Sequence, residues 1–431
     1  MRARARSGIV AAVAAPARAG AARPDAMKVL VCATGLTGQF ADAVYSTKYR
    51  ANAMTDAGLD VTVVGAPAAY PAGAPALRGA YRCALPRAAA AGDPGPASVI
   101  RRRGLFATYL AEPWAVLRSA WRTAVREGFD IFFVSHLEPV LALPFLPALR
   151  RGAGPRWVAR VPIVFPRARQ RRGSPRSFAL RAAVNRAVLP ALLRRMPLLF
   201  CSPHIPPYMG LPPHPRAIWL PDGYEDATRD APAPRDARRA LGLPEERRMA
   251  LLFGAASRAK GGPLLLRALE GLAPDFTVCI VGAAGGSYEG WGDRSAADAR
   301  GWSEALRIVP RYVSDEEMRR YYAACDAVVI PFERDFPGDS THLRRASEYG
   351  KAVIACDQYL IGEVVRRYDL GWRFAPGDAD GLRAALAEFA RAPEERFAAI
   401  RERSARVVRD RSWAEVGRRY RALFEAQKKN V

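Results

Sequence analysis

Two basic side chains, Arg258 and Lys260, follow a short apolar run at 249–253 that is typical of a buried β-strand. In a doubly wound parallel sheet, the loop after such a strand lies at the carboxyl edge, where ligands bind. A helix that we predict to begin at Ser340 follows another such strand, 326–330, and its first N–H groups and positive dipole end attract anions. Together, these cations and N–H donors can hold an anionic group without a metal ion.

Two further candidates follow predicted strands in the first half of the chain. His136 comes directly after the strand 130–135, and a loop with Gly35 and Gly38 comes after the strand 28–32. A lone histidine is often structural, and a pair of glycines is a weak motif. Their place at the carboxyl ends of strands is what makes them candidates.

One pair of carboxylates has a spacing that metal-dependent enzymes use. Asp378 and Asp380 are separated by one residue, but they follow Pro376-Gly377 and precede a helical pattern. This context predicts a helix N-cap and not a metal site. We therefore expect neither a metal ion nor another cofactor.

Short β-branched runs alternate with longer helical stretches, which indicates an α/β fold with parallel sheets. The alternation occurs twice, so we predict two doubly wound, Rossmann-like units in tandem. The predicted strands are 28–32, 60–64, 130–135, 157–164 and 197–201 in the first unit, and 249–253, 276–281, 306–309, 326–330 and 352–356 in the second. The predicted helices include 41–57, 262–272, 315–324 and 340–349.

The length of 431 residues also favours two domains. We place the first domain at 27–215 and the second at 216–411, with a Pro-dense link between them, and a final amphipathic helix within 412–431. Residues 1–26 are expected to be a disordered leader or a start site assigned too early, with Met27 as the first residue. No apolar stretch approaches the roughly 20 residues of a membrane-spanning helix.

The formal net charge of +24 is distributed unevenly. Between residues 139 and 221 there is no Asp or Glu, whereas arginines recur throughout this window. Such a field attracts polyanions or an anionic lipid surface. The six cysteines include no C-x-x-C pair and several lie within apolar runs, which favours buried, reduced thiols and a cytoplasmic location.

Several segments together resemble the retaining GT-B glycosyltransferases of the glycosyl transferases group 1 kind. In this family, two Rossmann-like domains face each other and a final helix crosses back to the first. The order and spacing of the motifs support the resemblance more than any single motif does. The matching segments are IWLPDG at 218–223, Gly254 with Lys260-Gly261, YYAACDAVVIP at 321–331, GKAVIA at 350–355, Gly362-Glu363 and the helix that starts at Ser412-Trp413.

The resemblance implies a sugar transfer from a nucleotide-sugar donor to a glycan or glycolipid acceptor. It places His136 against the donor sugar as a candidate catalytic residue, with Glu138 a weaker candidate on the acceptor side. It also implies that no metal ion is needed and that the basic first domain docks on an anionic membrane face. The implied donor-binding residues are Gly38, Gly254, Arg258, Lys260, Ser340, Thr341 and Glu363.

One family feature is missing. Members usually have two glutamates, E-x7-E, whose positions correspond here to Pro337 and Arg345. The segment is more similar to a variant subset in which a serine and a small residue open the helix. Glu333, Asp335 and Asp339 are possible replacements.

Two other functions remain open at this point. The missing glutamates would suit a non-catalytic relative that acts as a binding or scaffold partner. A nucleotide-sugar epimerase is also possible on this fold, but no acid/base pair is evident. Nucleic acid is not an expected partner, since the chain shows no recognition module and no pattern of stacking aromatic residues.

Overall fold

The computed structural model describes residues 25–33, 41–65, 77–83, 111–152, 154–161, 176–254, 260–270, 272, 275–282, 305–332 and 335–429. Within these residues the chain forms two parallel β-sheets, each covered by helices. The predicted α/β fold with two Rossmann-like domains and a returning C-terminal helix is confirmed.

The first sheet has seven parallel strands in the order β3-β2-β1-β4-β5-β6-β7. These are β1 (Lys28–Ala33), β2 (Asp60–Gly65), β3 (Ala80–Cys83), β4 (Ile131–Val134), β5 (Arg156–Arg160), β6 (Leu198–Phe200) and β7 (Ala217–Trp219). Its helices are Ala41–Asp56, Glu112–Arg126, Leu146–Arg151, Arg176–Leu193 and Ile205–Tyr208, with a 3-10 segment at Pro139–Phe145.

The second sheet has six parallel strands in the order β10-β9-β8-β11-β12-β13. These are β8 (Met249–Phe253), β9 (Thr277–Val281), β10 (Leu306–Val309), β11 (Ala327–Ile330), β12 (Ala352–Cys356) and β13 (Gly371–Phe374). Its helices are Pro234–Ala240, Gly262–Leu269, Asp315–Ala324, Thr341–Glu348, Tyr359–Tyr368, Ala379–Arg391 and Glu394–Asp410.

In both sheets the strand order reverses at one place, between β1 and β4 in the first and between β8 and β11 in the second. Loops on the two sides of such a switch point diverge and leave a crevice at the carboxyl edge. The central strands are buried on both faces, as the strands of a covered parallel sheet must be. The fold therefore provides two crevices, one in each domain.

Strand β7 pairs with β6, so the first sheet extends past the predicted boundary at residue 215. The chain leaves this sheet only after Trp219. Strand β7 has only three residues, and the four-residue strands β3 (AYRC) and β13 (GWRF) contain no continuous apolar run, so none of the three was predicted.

The chain passes between the domains twice, and the two passages lie side by side. The amide of Tyr224 donates to the carbonyl of Arg411, and Tyr224 forms an isolated parallel bridge with Ser412. A Cβ on Gly223 would lie 2.3 Å from the Trp413 ring, so only glycine allows this close packing.

The C-terminal helix, Trp413–Lys429, packs on the first domain, as predicted. On its buried face, the ring centroids of Tyr420 and Phe424 lie 5.3 and 6.0 Å from the ring centroid of Phe133 on β4. Trp413 stacks on Tyr49 of the helix Ala41–Asp56 with ring centroids 5.4 Å apart. The last helix thus belongs to the core of the first domain, although its sequence follows the second.

None of the described helices is long and apolar enough to cross a membrane.

Candidate active site

The chain around Lys260 is shaped by two glycines. Gly254, at the end of β8, has φ +106°, and Gly261 has φ +72°. A Cβ on Gly261 would lie 1.4 Å from the carbonyl oxygen of Pro331, so the loop can approach the end of β11 only with glycine there. This approach places Lys260 at the switch point of the second sheet.

Lys260 meets the helix Thr341–Glu348, which follows β11. Its Nζ lies 3.5 Å from His342 Nε2 and 4.3 Å from the centroid of the Phe332 ring. On the other side of the imidazole, Nδ1 lies 3.1 Å from the hydroxyl oxygen of Tyr322. The structure therefore brings Gly254, Lys260 and the helix after β11 to one crevice.

Ser340 and Thr341 lie at the start of that helix. Ser340 is the N-cap, and its hydroxyl accepts a hydrogen bond from the amide of Leu343 at 3.4 Å. Thr341 is the first helical residue, so its amide lies within the first turn, where the N–H groups have no partner within the helix. The predicted helix start is confirmed to within one residue, while its role in anion binding stays a prediction.

Arg345, at the position of the family's second glutamate, has a structural partner. Its Nη1 lies 3.2 Å from Glu348, which is almost fully buried. Glu348 also accepts a hydrogen bond from the amide of Glu225 in the link between the domains. Arg345 is therefore part of the contact between this helix and the link.

The proposed replacements for the glutamates differ in their surroundings. Asp339 accepts a hydrogen bond from the amide of Ser340 at 2.7 Å, and burial raises the pKa of its carboxyl group. Asp335 has φ +66°, and its carboxylate accepts a hydrogen bond from the hydroxyl of Tyr359 at 3.4 Å. Glu333 lies outside the described residues.

His136 lies at the switch point of the first sheet, directly beyond β4 and Ser135. Burial lowers the pKa of its imidazole to about 3, and the positive charges of Arg50 and Arg160 add to this shift. The ring is therefore neutral near pH 7, and it can donate or accept a hydrogen bond without carrying charge. Its role as a catalytic residue stays a prediction.

The charges beside His136 form an ion cluster that the sequence did not reveal. Asp222, in the link between the domains, contacts Arg50 Nε at 2.9 Å and Arg160 Nη2 at 3.1 Å. Arg160 also donates to the carbonyl of Leu220 at 2.8 Å. Although burial opposes it, these two arginines hold the pKa of Asp222 well below its usual range. Arg50 and Asp222 are far apart in the sequence, so no local pattern could have paired them.

Glu363 faces the other domain. It lies on the helix Tyr359–Tyr368, and its Oε1 is 2.9 Å from Nε2 of His204, which follows β6 of the first sheet. The ring of Tyr359 adds to this contact, with its centroid 5.6 Å from that of His204. In the structure Glu363 thus makes a contact between the domains, while its donor contact stays a prediction.

The remaining candidates divide into two groups. Gly38, Arg258 and most of the predicted leader lie outside the described residues. Asp378 is an N-cap, as predicted, because its carboxylate accepts from the amide of Gly381 at 2.9 Å. Among the described residues, no group of three or more His, Cys, Asp or Glu side chains is arranged to hold a metal ion.

A family model described as "Glycosyl transferases group 1" matches residues 235–406, which include Lys260, the helix Thr341–Glu348 and Glu363. The match lies within the second domain and covers less than half of the chain. One curated relative is the D-inositol 3-phosphate glycosyltransferase of Xylanimonas cellulosilytica, which is 28% identical over 197 residues. This match covers 41% of the chain and 47% of the relative, so it spans about half the length of that protein.

Several solved structures share the fold of nearly the whole chain. Anabaena HepE, in complex with UDP and glucose, has a TM-score of 0.65 at 16% identity over 93% of this chain and 99% of its own. Sucrose-phosphate synthase from Thermosynechococcus elongatus has a TM-score of 0.67 at 18% identity over 92% of this chain and 99% of its own. The catalytic domain of Arabidopsis thaliana starch synthase IV, bound to ADP and acarbose, has a TM-score of 0.68 at 13% identity over 94% of this chain and 100% of its own. The chain therefore has the two-domain GT-B fold.

Proposed function

We propose that this chain is a glycosyltransferase that moves a sugar from a nucleotide-sugar donor to a lipid-linked or polysaccharide acceptor. The observation that supports this proposal most is the meeting of Lys260 with the start of the helix Thr341–Glu348 at the switch point of the second sheet. This crevice lies within the residues that match the glycosyltransferase family model. Two structures of similar fold contain UDP or ADP, so nucleoside diphosphate sugars are the donors to test first.

The donor diphosphate would be held by charge and by N–H groups. The Lys260 ammonium supplies a cation, and the first amides of the helix, next to Ser340 and Thr341, supply donors that are fixed in place. Arg258, on the same loop, is expected to add a second cation. Negative charge on the leaving diphosphate grows as the glycosidic bond breaks, so these contacts stabilise the transition state more than the bound donor. In this proposal no metal ion is required.

The acceptor would bind in the first domain, on the opposite wall of the cleft. His136 occupies the switch point there, and its neutral imidazole would contact the donor sugar. The transfer would pass through an oxocarbenium-like state. We expect the leaving diphosphate oxygen to take the acceptor proton on the same face of the sugar, so that the anomeric configuration is retained.

A membrane would present the acceptor. Arg186, Arg194, Arg195 and Arg216 are exposed in a window without acidic residues, and Leu143 is an exposed apolar side chain in the same window. Arginines around a few apolar side chains are suited to an anionic lipid surface. We therefore place the enzyme in the cytoplasm, peripherally on the inner membrane face.

A second candidate function is a non-catalytic relative that binds a nucleotide. Arg345 stands at the position of a family glutamate and pairs with Glu348, so no carboxylate occupies that position. This alternative predicts nucleotide binding without turnover.

The test is a screen in two steps. Thermal unfolding is first measured with UDP, GDP, ADP and their sugar conjugates, and a bound ligand raises the unfolding temperature. The stabilising nucleotide sugars are then incubated with the protein, and nucleoside diphosphate release is followed with and without glycolipid acceptors. Release supports the transferase, binding without release supports the non-catalytic relative, and the absence of binding to any donor overturns both.

A further inference from the structure

We propose that His342 is a positioning residue, which holds the Lys260 ammonium toward the donor diphosphate through its Nε2 atom. This inference rests on the proposed function, because it gives His342 a task at the same site. The family match covers this residue without assigning it any role. His342 also lies on the helix whose first turn would face the same diphosphate.

The contacts of the imidazole determine which nitrogen carries the proton. A lysine ammonium has only donors, so His342 Nε2, at 3.5 Å, has to be the acceptor of this contact. In a neutral imidazole the other nitrogen then carries the hydrogen. Nδ1 therefore donates to the hydroxyl oxygen of Tyr322 at 3.1 Å. The structure assigns a chain of contacts from Tyr322 through His342 to Lys260.

The ring is held in place by its packing. His342 is buried, and a Cβ on Gly254 would lie 3.1 Å from its Cε1 and 3.3 Å from its Nε2. The Phe332 ring packs on another side, with an interplanar angle of 83°. Gly254 was predicted to bind the donor, and the structure adds that it leaves room for this imidazole.

The charges that face His342 keep its ring neutral. Burial lowers the pKa of the imidazole well below its usual value, and Lys260, Arg344 and Arg345 lower it further. Nε2 therefore stays an acceptor at the pH where the protein works. The ring nitrogen thus fixes one side of the Lys260 ammonium, at 3.5 Å.

The role of His342 would be to orient the Lys260 ammonium. A lysine side chain has four rotatable bonds, and holding it in one geometry costs entropy. The Phe332 face and the His342 nitrogen restrict the ammonium before the donor arrives. A displaced cation at a reacting centre can cost roughly 100-fold in rate.

The test compares two substitutions at His342. His342→Leu removes the acceptor and keeps much of the volume, and we expect it to lower kcat by roughly 10- to 100-fold with a smaller change in KM. His342→Gln offers a side-chain oxygen in place of the imidazole nitrogen. We expect its kcat to be much closer to that of the wild type than the kcat of His342→Leu. Tyr322→Phe should lower kcat, whereas Tyr321→Phe, on the same helix, is the matched control. Equal kcat values for wild type and His342→Leu would overturn the inference.

A double-mutant cycle separates positioning from folding. If His342 acts through Lys260, His342→Leu should cost nothing further in a Lys260→Ala background, whereas a structural role would give additive losses. The cycle is measured on kcat and on the affinity for inorganic pyrophosphate, which is the probe for the diphosphate. If the wild type transfers no sugar, the proposed function fails, and the pyrophosphate cycle still decides the role of His342. Additive losses in pyrophosphate affinity would contradict it.

Discussion

Glu363 Oε1 lies 2.9 Å from His204 Nε2, and this contact joins the carboxyl edges of the two sheets. Both side chains are partly exposed, so the pair adds little to stability. The contact would instead help to close the cleft, because domain closure around a substrate excludes water and completes the site. The link at Gly223 and Trp413 would be the hinge of this motion.

The first prediction concerns this contact. Glu363→Ala and His204→Ala should each raise the KM for the donor severalfold and leave the unfolding temperature unchanged, because each removes one side of the same contact. The double variant should be no worse than the single variants. Steady-state kinetics and small-angle scattering, which reports the opening of the domains, are the measurements. A much larger loss with Glu363→Ala alone would show that Glu363 contacts the donor directly.

The second prediction concerns the ion cluster at the link. Asp222→Ala should lower the free energy of unfolding by about 3–5 kcal/mol, because it leaves Arg50 and Arg160 buried without their carboxylate. Asp226→Ala is the control, since that carboxylate is more exposed and lies only a few residues further along the chain. Urea unfolding measures both. Equal effects of the two substitutions would mean that the buried cluster contributes no more than a surface pair.

The third prediction is a pH dependence of stability. The pKa of His136 is about 3 in the folded protein and about 6.5 in the unfolded chain. Between these values the unfolded chain binds more protons, so stability falls as the pH decreases from 6.5 toward 3, by up to about 1.4 kcal/mol per pH unit. His136→Gln should show a shallower decline in urea unfolding over this window. An unchanged slope would mean that His136 is protonated in the folded protein.

Much of the fold could be predicted from local pattern. The strand at 249–253 and the helix at 315–324 match the structure because continuous apolar runs and helical periodicity are strong signals. Ser314 and Glu317 even form a capping box at the start of that helix. The edge strands β3 and β13 were missed because their four residues mix apolar and polar side chains or glycine, and β7 because it has only three residues.

The candidate site was predicted less completely. Lys260 was found from its place after a strand, but its partner His342 was not, because one histidine in a helix forms no pattern. The same limit applies to Arg50 and Asp222, which meet only through the tertiary fold. A sequence shows which loops reach the carboxyl edge, whereas side-chain pairs across that edge depend on how the elements pack.

The fourth prediction concerns the membrane. Vesicles that contain anionic lipid should bind the protein, and binding should decrease steeply between low and high salt, because screening weakens attraction between exposed charges. Replacing Arg194 and Arg195 with Glu should weaken binding, whereas Arg418→Glu on the last helix is the control. Co-sedimentation measures each. Equal binding to neutral vesicles at high salt would contradict a docking role for the basic window.

The last prediction concerns Lys260 itself. Lys260→Ala should reduce turnover by roughly 100- to 1000-fold, the range for losing one electrostatic stabiliser of a transition state, because it removes the ammonium that lies beside Phe332 and His342. Its unfolding temperature should stay close to that of the wild type, since a partly buried lysine is lost and no core side chain is removed. Lys429→Ala, at an exposed position of the last helix, is the control and should keep full turnover. EDTA should leave the wild-type rate unchanged, because the lysine and the helix amides would hold the diphosphate in place of a metal ion. A near-normal rate for Lys260→Ala, or a strict requirement for Mn²⁺ or Mg²⁺, would mean that the diphosphate binds elsewhere.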